Sequence, residues 1–298
     1  MKRILPLALI VLIGVAALIV GQRRKADAPA SADAVLEFMA GTQREMTRLP
    51  MGATRLSDAQ EIQIGQELLR SYDSGGRLQT RQTSLMEDYV NRVGRKLAAR
   101  AHRKLPYSFH YIPDRGFINA FALLGGPVFI GEGMLSLMDS EDELAAVLGH
   151  EIEHIDHYHC AERVQVEARA RKLGAIGQLA TLPIEIFETG YTKDEELQAD
   201  REGTRLAVIA GYSPTGALRI METFDRLFER RQHRARNPQE EIGSLAEQTL
   251  QGYFRSHPPA AERAAQIRSL MVSEGWPAKV ERDLEVKVPP NSRTAIKK

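Results

Sequence analysis

Apolar side chains recur with a helical period over most of the chain. Within residues 84–100 they stand four positions apart, at Leu85, Tyr89, Val93 and Leu97. This is the stripe of an amphipathic helix. Ser84 and Glu87 have the spacing of a capping box at the start of that helix. Similar patterns predict further helices over residues 57–71, 194–210, 215–231 and 258–272.

The stretch from residue 107 to residue 131 has a different period. Aromatic residues alternate with Ser108 and His110, which predicts a strand. A second apolar run covers residues 117–123, and a third short strand follows the Gly125-Gly126 turn. Because this third strand begins with Pro127, and proline cannot donate to a ladder, we expect it at the edge of the sheet. The pattern therefore predicts an α+β fold that is mainly helical and contains a small sheet.

The N-terminus carries an uncharged, mostly apolar run over residues 4–21 between short basic clusters. A run of this kind is a signal peptide or a signal-anchor, and it is about long enough to cross a bilayer as a helix. Basic residues follow it directly, which favours an uncleaved anchor over residues 1–25 and a folded domain outside the cytoplasm. Residues 26–54 are predicted to be a tether and residues 288–298 a loose tail.

Charge and cysteine content exclude several functions. The formal net charge is +1, so the chain lacks the basic excess that is typical of nucleic-acid-binding domains, and we expect no nucleic-acid partner. Cys160 is the single cysteine, which rules out a disulfide within the chain. A buried structural thiol is the favoured interpretation of Cys160, because a better catalytic set lies beside it in the sequence.

That set is the run His150-Glu151-Ile152-Glu153-His154. Ser140 and Glu143 form a capping box that starts its helix. On this helix His154 lies about 40° round from His150 and one turn along, so both imidazoles can reach one zinc ion. Glu151 lies between the histidines and an apolar stripe, where a partly shielded carboxylate suits a general base. The stripe consists of Leu144, Leu148, Ile152 and Ile155.

A catalytic zinc ion usually has three protein ligands, so a third is required. His157 lies too far along the helix, about 4.5 Å beyond His154, and His159 is expected to point elsewhere on it. A separate predicted helix offers Glu196 and Asp200 four residues apart on one face. One of these carboxylates can bind zinc while the other orients a histidine ligand. Helix geometry alone does not choose Glu196 over Glu195 or Asp200.

Further motifs give the chain a family resemblance over residues 55–272. It resembles the metallopeptidases that include the CAAX prenyl endopeptidases, the membrane heat-shock proteases and the periplasmic chaperone-proteases of bacteria. The resemblance implies a zincin-like domain, expected here over residues 55–287, with a sheet whose edge strand borders the active site. The motifs are Asn119-Ala120-Phe121-Ala122, Gly125-Gly126, Gly133-Met134-Leu135, Glu143-Leu144-Ala145, the run 150–154 with His159, Glu196-x-x-Ala199-Asp200-x-x-Gly203, Gly211-Tyr212-x-Pro214 and Ser256-His257-Pro258-Pro259.

The resemblance also implies roles for single residues. Glu196 becomes the third zinc ligand, and Asp200 its companion that orients a histidine. His257 lies near the metal, where it either stabilises the developing oxyanion or occupies the open metal position in a resting state. The alternative for His257 is a cap before the helix that follows Pro258.

The sequence as a whole predicts a zinc metalloendopeptidase with one Zn²⁺ per chain. The metal lowers the pKa of a water molecule, and Glu151 takes the proton and passes it to the leaving amine. The expected substrates are misfolded or unassembled envelope proteins in the periplasm, with residues 128–130 as the strand on which an extended substrate docks. The alternative is a chaperone or assembly factor whose zinc site is covered and weakly proteolytic.

Overall fold

A computed structural model gives the fold of the chain. It describes residues 55–73, 81–173, 176–183, 186–187, 190–234, 257, 261–279 and 281–286. Within them the helices are α1 (Asp58–Asp73), α2 (Arg81–Ala98), α3 (Glu132–Leu135), α4 (Glu141–Asp156), α5 (His159–Ala170), α6 (Ile176–Leu179), α7 (Lys193–Ile209), α8 (Pro214–Arg234) and α9 (Ala261–Ser273). The strands are β1 (Ser108–Ile112), β2 (Ala120–Ala122) and β3 (Pro127–Gly131). The predicted α+β class, mainly helical with a small sheet, is confirmed.

The three strands form one mixed sheet in the order β1-β3-β2. β1 runs parallel to β3, with Phe109 opposite Val128, and β2 runs antiparallel to β3, with Phe121 opposite Phe129. β3 is therefore the central strand, and its predicted place at the edge was wrong. Pro127 is tolerated because it is the first residue of β3, where its carbonyl accepts a bond from Leu123 and no N–H is needed.

The turn before β3 depends on its two glycines. Gly125 and Gly126 have φ of 81° and 130°, in the region that side chains with a Cβ rarely occupy. A Cβ on Gly125 would lie 2.3 Å from the carbonyl oxygen of Glu61 in α1. The turn therefore packs directly on the backbone of the first helix.

The predicted capping boxes had different outcomes. The box at Ser140 and Glu143 is present, with both reciprocal bonds, and starts α4. The box at Ser84 and Glu87 was wrong, because α2 begins at Arg81 and Ser84 lies inside it. Glu87 instead accepts a bond from the backbone N–H of Tyr111, 2.5 Å away, and so joins α2 to β1.

The motif helix α4 lies at the centre of the domain. Every residue from Glu141 to Asp156 is buried, and α4 packs against α2, α7, α8 and β2. It crosses α7 where two glycines meet: a Cβ on Gly203 would lie 2.7 Å from the backbone nitrogen of His150, and one on Gly149 would lie 2.8 Å from the carbonyl oxygen of Gly203. The close crossing brings the acidic residues of α7 up to the histidines of α4.

The predictions for residues 1–54 and 288–298 fall outside the described residues. Among the helices that the structure describes, none is long and apolar enough to cross a membrane. The boundaries assigned to anchor, tether and tail stay predictions.

Candidate metal centre

Four side chains converge at the crossing of α4 and α7. One ligand atom from each of His150, His154, Glu196 and His257 can be chosen so that all four lie within 4.8 Å of one another, and all four residues are buried. The Nε2 atoms of His150 and His154 are 3.0 Å apart. His257 Nδ1 lies 3.0 Å from Glu196 Oε1 and 3.2 Å from His150 Nε2. The structure thus brings together the three expected metal ligands and His257, which the family resemblance placed near the metal.

Asp200 supports the ring of His150 from behind. Its Oδ1 lies 2.9 Å from His150 Nδ1, but the oxygen is not aligned with the N–H bond of the ring, so the contact does not have hydrogen-bond geometry. A proton on Nδ1 beside this carboxylate leaves the lone pair of His150 on Nε2, the atom that faces the cluster. This is the place that the family resemblance implied for Asp200.

Arg263 on α9 binds the carboxylates of Glu196 and Asp200, which both lie on α7. Its Nε and Nη2 atoms donate to Asp200 at 2.6 and 2.7 Å, and Nη1 lies 3.1 Å from Glu196 Oε2. The sequence analysis missed this residue. Its signal was a position six residues after His257 on a predicted helix, which does not distinguish it from the many exposed arginines of the chain.

Two residues contact the ring of His154, one at its edge and one on its face. Its Nδ1 lies 2.9 Å from His159 Nδ1, and the ring of Tyr191 stacks on it with centroids 3.7 Å apart. The expectation that His159 points elsewhere on the helix was wrong, because α4 ends at Asp156 and a new helix begins at His159. His157 contacts Glu153 and Gln198 instead of the cluster, as its distance along the helix predicted.

Glu151 lies beside the cluster and is almost completely buried. Neither of its carboxylate oxygens forms a hydrogen bond with any residue that the structure describes. His257 Nε2 lies 3.5 Å from Oε1. Burial raises the pKa of Glu151 above its usual value, an effect that the charges of His257 and His150 only partly offset. The side chain is thus a buried carboxyl whose oxygens point into the site.

The pKa values of Glu196 and Asp200, the two acidic residues that α7 contributes to the site, are shifted in the opposite direction. Burial alone would raise the pKa of Glu196, but the charges of His257 and Arg263 outweigh it and the pKa is lowered. The pKa of Asp200 is lowered as well, because Arg263 and His150 outweigh its burial. Both groups are therefore carboxylates at neutral pH. Burial lowers the pKa of His154 well below its usual value, and the neighbouring histidines add to the effect.

The donor set fits a tetrahedral cation. The Nε2 atoms of His150 and His154 lie 3.0 Å apart, and with a proton on each Nδ1 their two lone pairs can bind one cation. Ligand atoms about 2.05 Å from a tetrahedral zinc ion stand roughly 3.3 Å apart. Five contacts among His150, His154, His257 and the two carboxylate oxygens of Glu196 are 3.0 to 3.6 Å long, and the four ligand atoms of the cluster lie within 4.8 Å of one another. Two imidazoles with a carboxylate are a ligand set that suits zinc.

The family assignment follows from a comparison with protein-family models. The model of peptidase family M48 matches residues 84–271. The chain belongs to peptidase family M48. The matched range includes every residue of the cluster, together with Glu151, Asp200 and Arg263. The resemblance inferred from the motifs is confirmed.

Curated relatives of this M48 chain are named as proteases. The beta-barrel assembly-enhancing protease of Escherichia coli (strain K12) is 29% identical over 205 residues, which is 62% of this chain and 41% of that protein. Metalloprotease LoiP of the same organism is 25% identical over 239 residues, 75% of this chain and 85% of the relative. Mitochondrial metalloendopeptidase OMA1 of Schizosaccharomyces pombe is 33% identical over 147 residues, 46% of this chain and 43% of the relative. The match thus spans about two fifths of the beta-barrel assembly-enhancing protease.

Proposed function

We propose that this M48 chain is a zinc-dependent endopeptidase in which His150, His154 and Glu196 hold one zinc ion and Glu151 is the general base. The observation that carries the proposal is the convergence of the three ligand side chains with a buried, raised-pKa carboxyl beside them. Zinc supplies Lewis acidity when bound, because it lowers the pKa of water and polarises a peptide carbonyl.

The protein's own residues then carry the proton. Glu151 has a pKa raised by burial, which brings it nearer to the operating pH, where a general base is most effective. Its carboxylate takes a proton from the attacking water and later gives it to the leaving amine. Asp200 and Arg263 keep His150 and Glu196 in place during these steps, since they contact those side chains directly.

His257 supports a resting arrangement. Its Nδ1 stands at the fourth corner of the cluster, and its Nε2 lies 3.5 Å from Glu151 Oε1. We propose that His257 withdraws from this corner when a substrate enters and then donates to the oxyanion that develops on the carbonyl.

The proposed substrates are misfolded or unassembled envelope proteins. The beta-barrel assembly-enhancing protease supports this by its name, and the predicted N-terminal signal or anchor supports a periplasmic site of action. β2 is the edge strand that packs against α4, where an extended peptide can add by backbone hydrogen bonds. Cys160 lies 3.5 Å from the carbonyl of Ala122 in β2, so α5 covers part of this edge in the resting structure.

The test compares two substitutions on the same helix. Glu151→Gln removes the proposed base, whereas Glu153→Gln alters another buried glutamate, one that contacts His157 and lies outside the cluster. With purified full-length chain and casein or an unfolded outer-membrane β-barrel protein as substrate, Glu151→Gln should lose about 10²–10⁴-fold in rate. Glu153→Gln should stay near the wild-type rate. Digestion by Glu151→Gln at the wild-type rate would refute the base assignment.

The alternative function, a chaperone or assembly factor with a covered zinc site, is less well supported because the relatives are named as proteases. The same pair of variants separates it from the peptidase. Glu151→Gln that abolished digestion yet kept the cellular function of the wild type would favour the alternative.

A further inference from the structure

The turn after α4 brings a fourth histidine, His159, to the metal site. α4 ends at Asp156, Tyr158 adopts a left-handed conformation with φ of 63°, and α5 begins at His159. The guanidinium groups of Arg55 and Arg103 stack on the ring of Tyr158, with their central carbons 4.0 and 3.9 Å from its centroid. A left-handed tyrosine is uncommon, and these contacts hold it. The turn points His159 back at the last turn of α4.

The contact that results joins His159 to the edge of the His154 ring that faces away from the cluster. His154 Nε2 faces the cluster, 3.0 Å from His150 Nε2 and 3.6 Å from Glu196 Oε1. A neutral imidazole that offers a lone pair on Nε2 carries its proton on Nδ1. That Nδ1 lies 2.9 Å from His159 Nδ1, with hydrogen-bond geometry and both rings buried. When His154 binds a cation through Nε2, it is therefore the donor of this bond and His159 the acceptor.

We infer that His159 is a positioning residue that orients His154 toward the metal, in the way that Asp200 orients His150. Each histidine of α4 directs Nε2 into the cluster and rests Nδ1 on a partner 2.9 Å away. The two partners differ in chemistry, since Asp200 is a carboxylate held by Arg263, whereas His159 contacts His154 through a ring nitrogen. This inference rests on the proposed zinc site.

His159 is not itself a metal ligand in this arrangement. Its Nδ1 is bonded to the edge of the His154 ring that faces away from the cluster, and it is not one of the four residues whose ligand atoms converge. Tyr191 covers one face of the His154 ring with an interplanar angle of 14°. His159 therefore adds what stacking does not: it sets the rotation of the ring within its own plane and the position of its proton.

The experiment uses the full-length chain with Glu151→Gln as parent, so that turnover does not interfere. Two substitutions are made in this parent. His159→Leu removes the acceptor, and His159→Asn offers Oδ1 as an acceptor in place of Nδ1. The matched control is His157→Leu, two residues away and bonded to Glu153 and Gln198. The zinc dissociation constant is measured by competition with a chelator, and ¹⁵N NMR of the imidazoles reports the tautomer of His154.

We expect His159→Leu to weaken zinc binding by about 10–100-fold, the usual effect of losing a partner that orients a ligand. His159→Asn should restore affinity close to that of the parent, and His157→Leu should leave it unchanged. In the metal-free parent the His154 proton should reside on Nδ1, and in His159→Leu the two tautomers should mix.

Parent-like zinc affinity in a folded His159→Leu would overturn the inference, as would a His159→Asn that binds no better than the leucine variant. If the leucine variant does not fold, the asparagine variant and the tautomer of the parent decide, and a His154 proton on Nε2 in the metal-free parent overturns the inference. A parent that binds no zinc would instead refute the proposed metal site, and this inference with it.

Discussion

Replacing Arg263 with methionine tests how the site is held together. The guanidinium makes two short bonds to Asp200 and a 3.1 Å contact with Glu196. Both carboxylates have side chains that are 1% exposed, and that of Arg263 is 5% exposed. Methionine keeps most of the apolar volume, so the substitution removes the cation and leaves two buried carboxylates facing each other without it.

The size of the loss follows from that burial. Breaking a buried ion pair by removing one partner costs about 3–5 kcal/mol. In a domain of this size each kcal/mol lowers Tm by roughly 2–4 °C, so Arg263→Met should lower it by about 6–20 °C. On the same helix, Arg268 pairs with Glu222, and these side chains are 54% and 38% exposed. Exposed pairs contribute about 0–1 kcal/mol, so Arg268→Met should lower Tm by less than about 4 °C.

Thermal and urea unfolding of both variants is monitored by circular dichroism. EDTA is present throughout, so that metal binding does not contribute to the measured stability. A third protein combines Arg263→Met with Asp200→Asn, and because the two residues are in contact, its loss should be smaller than the sum of the single losses. If Arg263→Met were no less stable than Arg268→Met, the reasoning about the buried cation would be refuted.

Three further predictions concern the metal, the helix crossing and pH. Zinc at about 100 times its dissociation constant should stabilise the metal-free chain by about 2.7 kcal/mol. In a thermal scan, Glu196→Gln should lose most of this stabilisation. If zinc stabilised Glu196→Gln as much as the wild type, Glu196 would not be a ligand. Gly203→Ala should lower Tm and weaken zinc binding, because its Cβ would lie 2.7 Å from the backbone nitrogen of His150. The control is Gly177→Ala, whose Cβ would meet no atom within 4 Å, so its zinc affinity should not change. Equal zinc affinities in the two variants would argue against the close crossing of α4 and α7. Although Asp200 is buried, Arg263 lowers its pKa, so it contributes stability above its unfolded pKa of about 3.9 that is lost as the pH falls toward its folded pKa. The metal-free wild type should therefore lose more stability than Asp200→Asn between about pH 5 and pH 3, and parallel curves would be the contrary result.

Local patterns predicted the motif helix and the residues that it contributes. The capping box at Ser140 and the spacing of His150 and His154 are set by the helix itself, so the structure reproduces both. The third ligand needed more information, because helix geometry did not choose Glu196 over Glu195 or Asp200, and only the family resemblance selected it. The Gly149–Gly203 contact explains that choice physically, since it fixes which turn of α7 meets the histidines.

Features that depend on long-range packing were missed. Pro127 argued for an edge strand, but the order of the sheet is set by β2 returning antiparallel along β3, and a proline at the first position does not prevent this. His159 was assigned to a continuous helix, which the left-handed Tyr158 interrupts. Arg263 pairs with an acid 63 residues away in the chain, and no local period indicates such a pairing.

The zinc site can be located by anomalous diffraction at the zinc edge from crystals of the purified, zinc-loaded chain. We expect one strong peak about 2.0–2.2 Å from Nε2 of His150, Nε2 of His154 and a carboxylate oxygen of Glu196, with Glu151 beside the ion and not bound to it. A peak held by other side chains, or no peak at the crossing of α4 and α7, would refute the proposed metal centre.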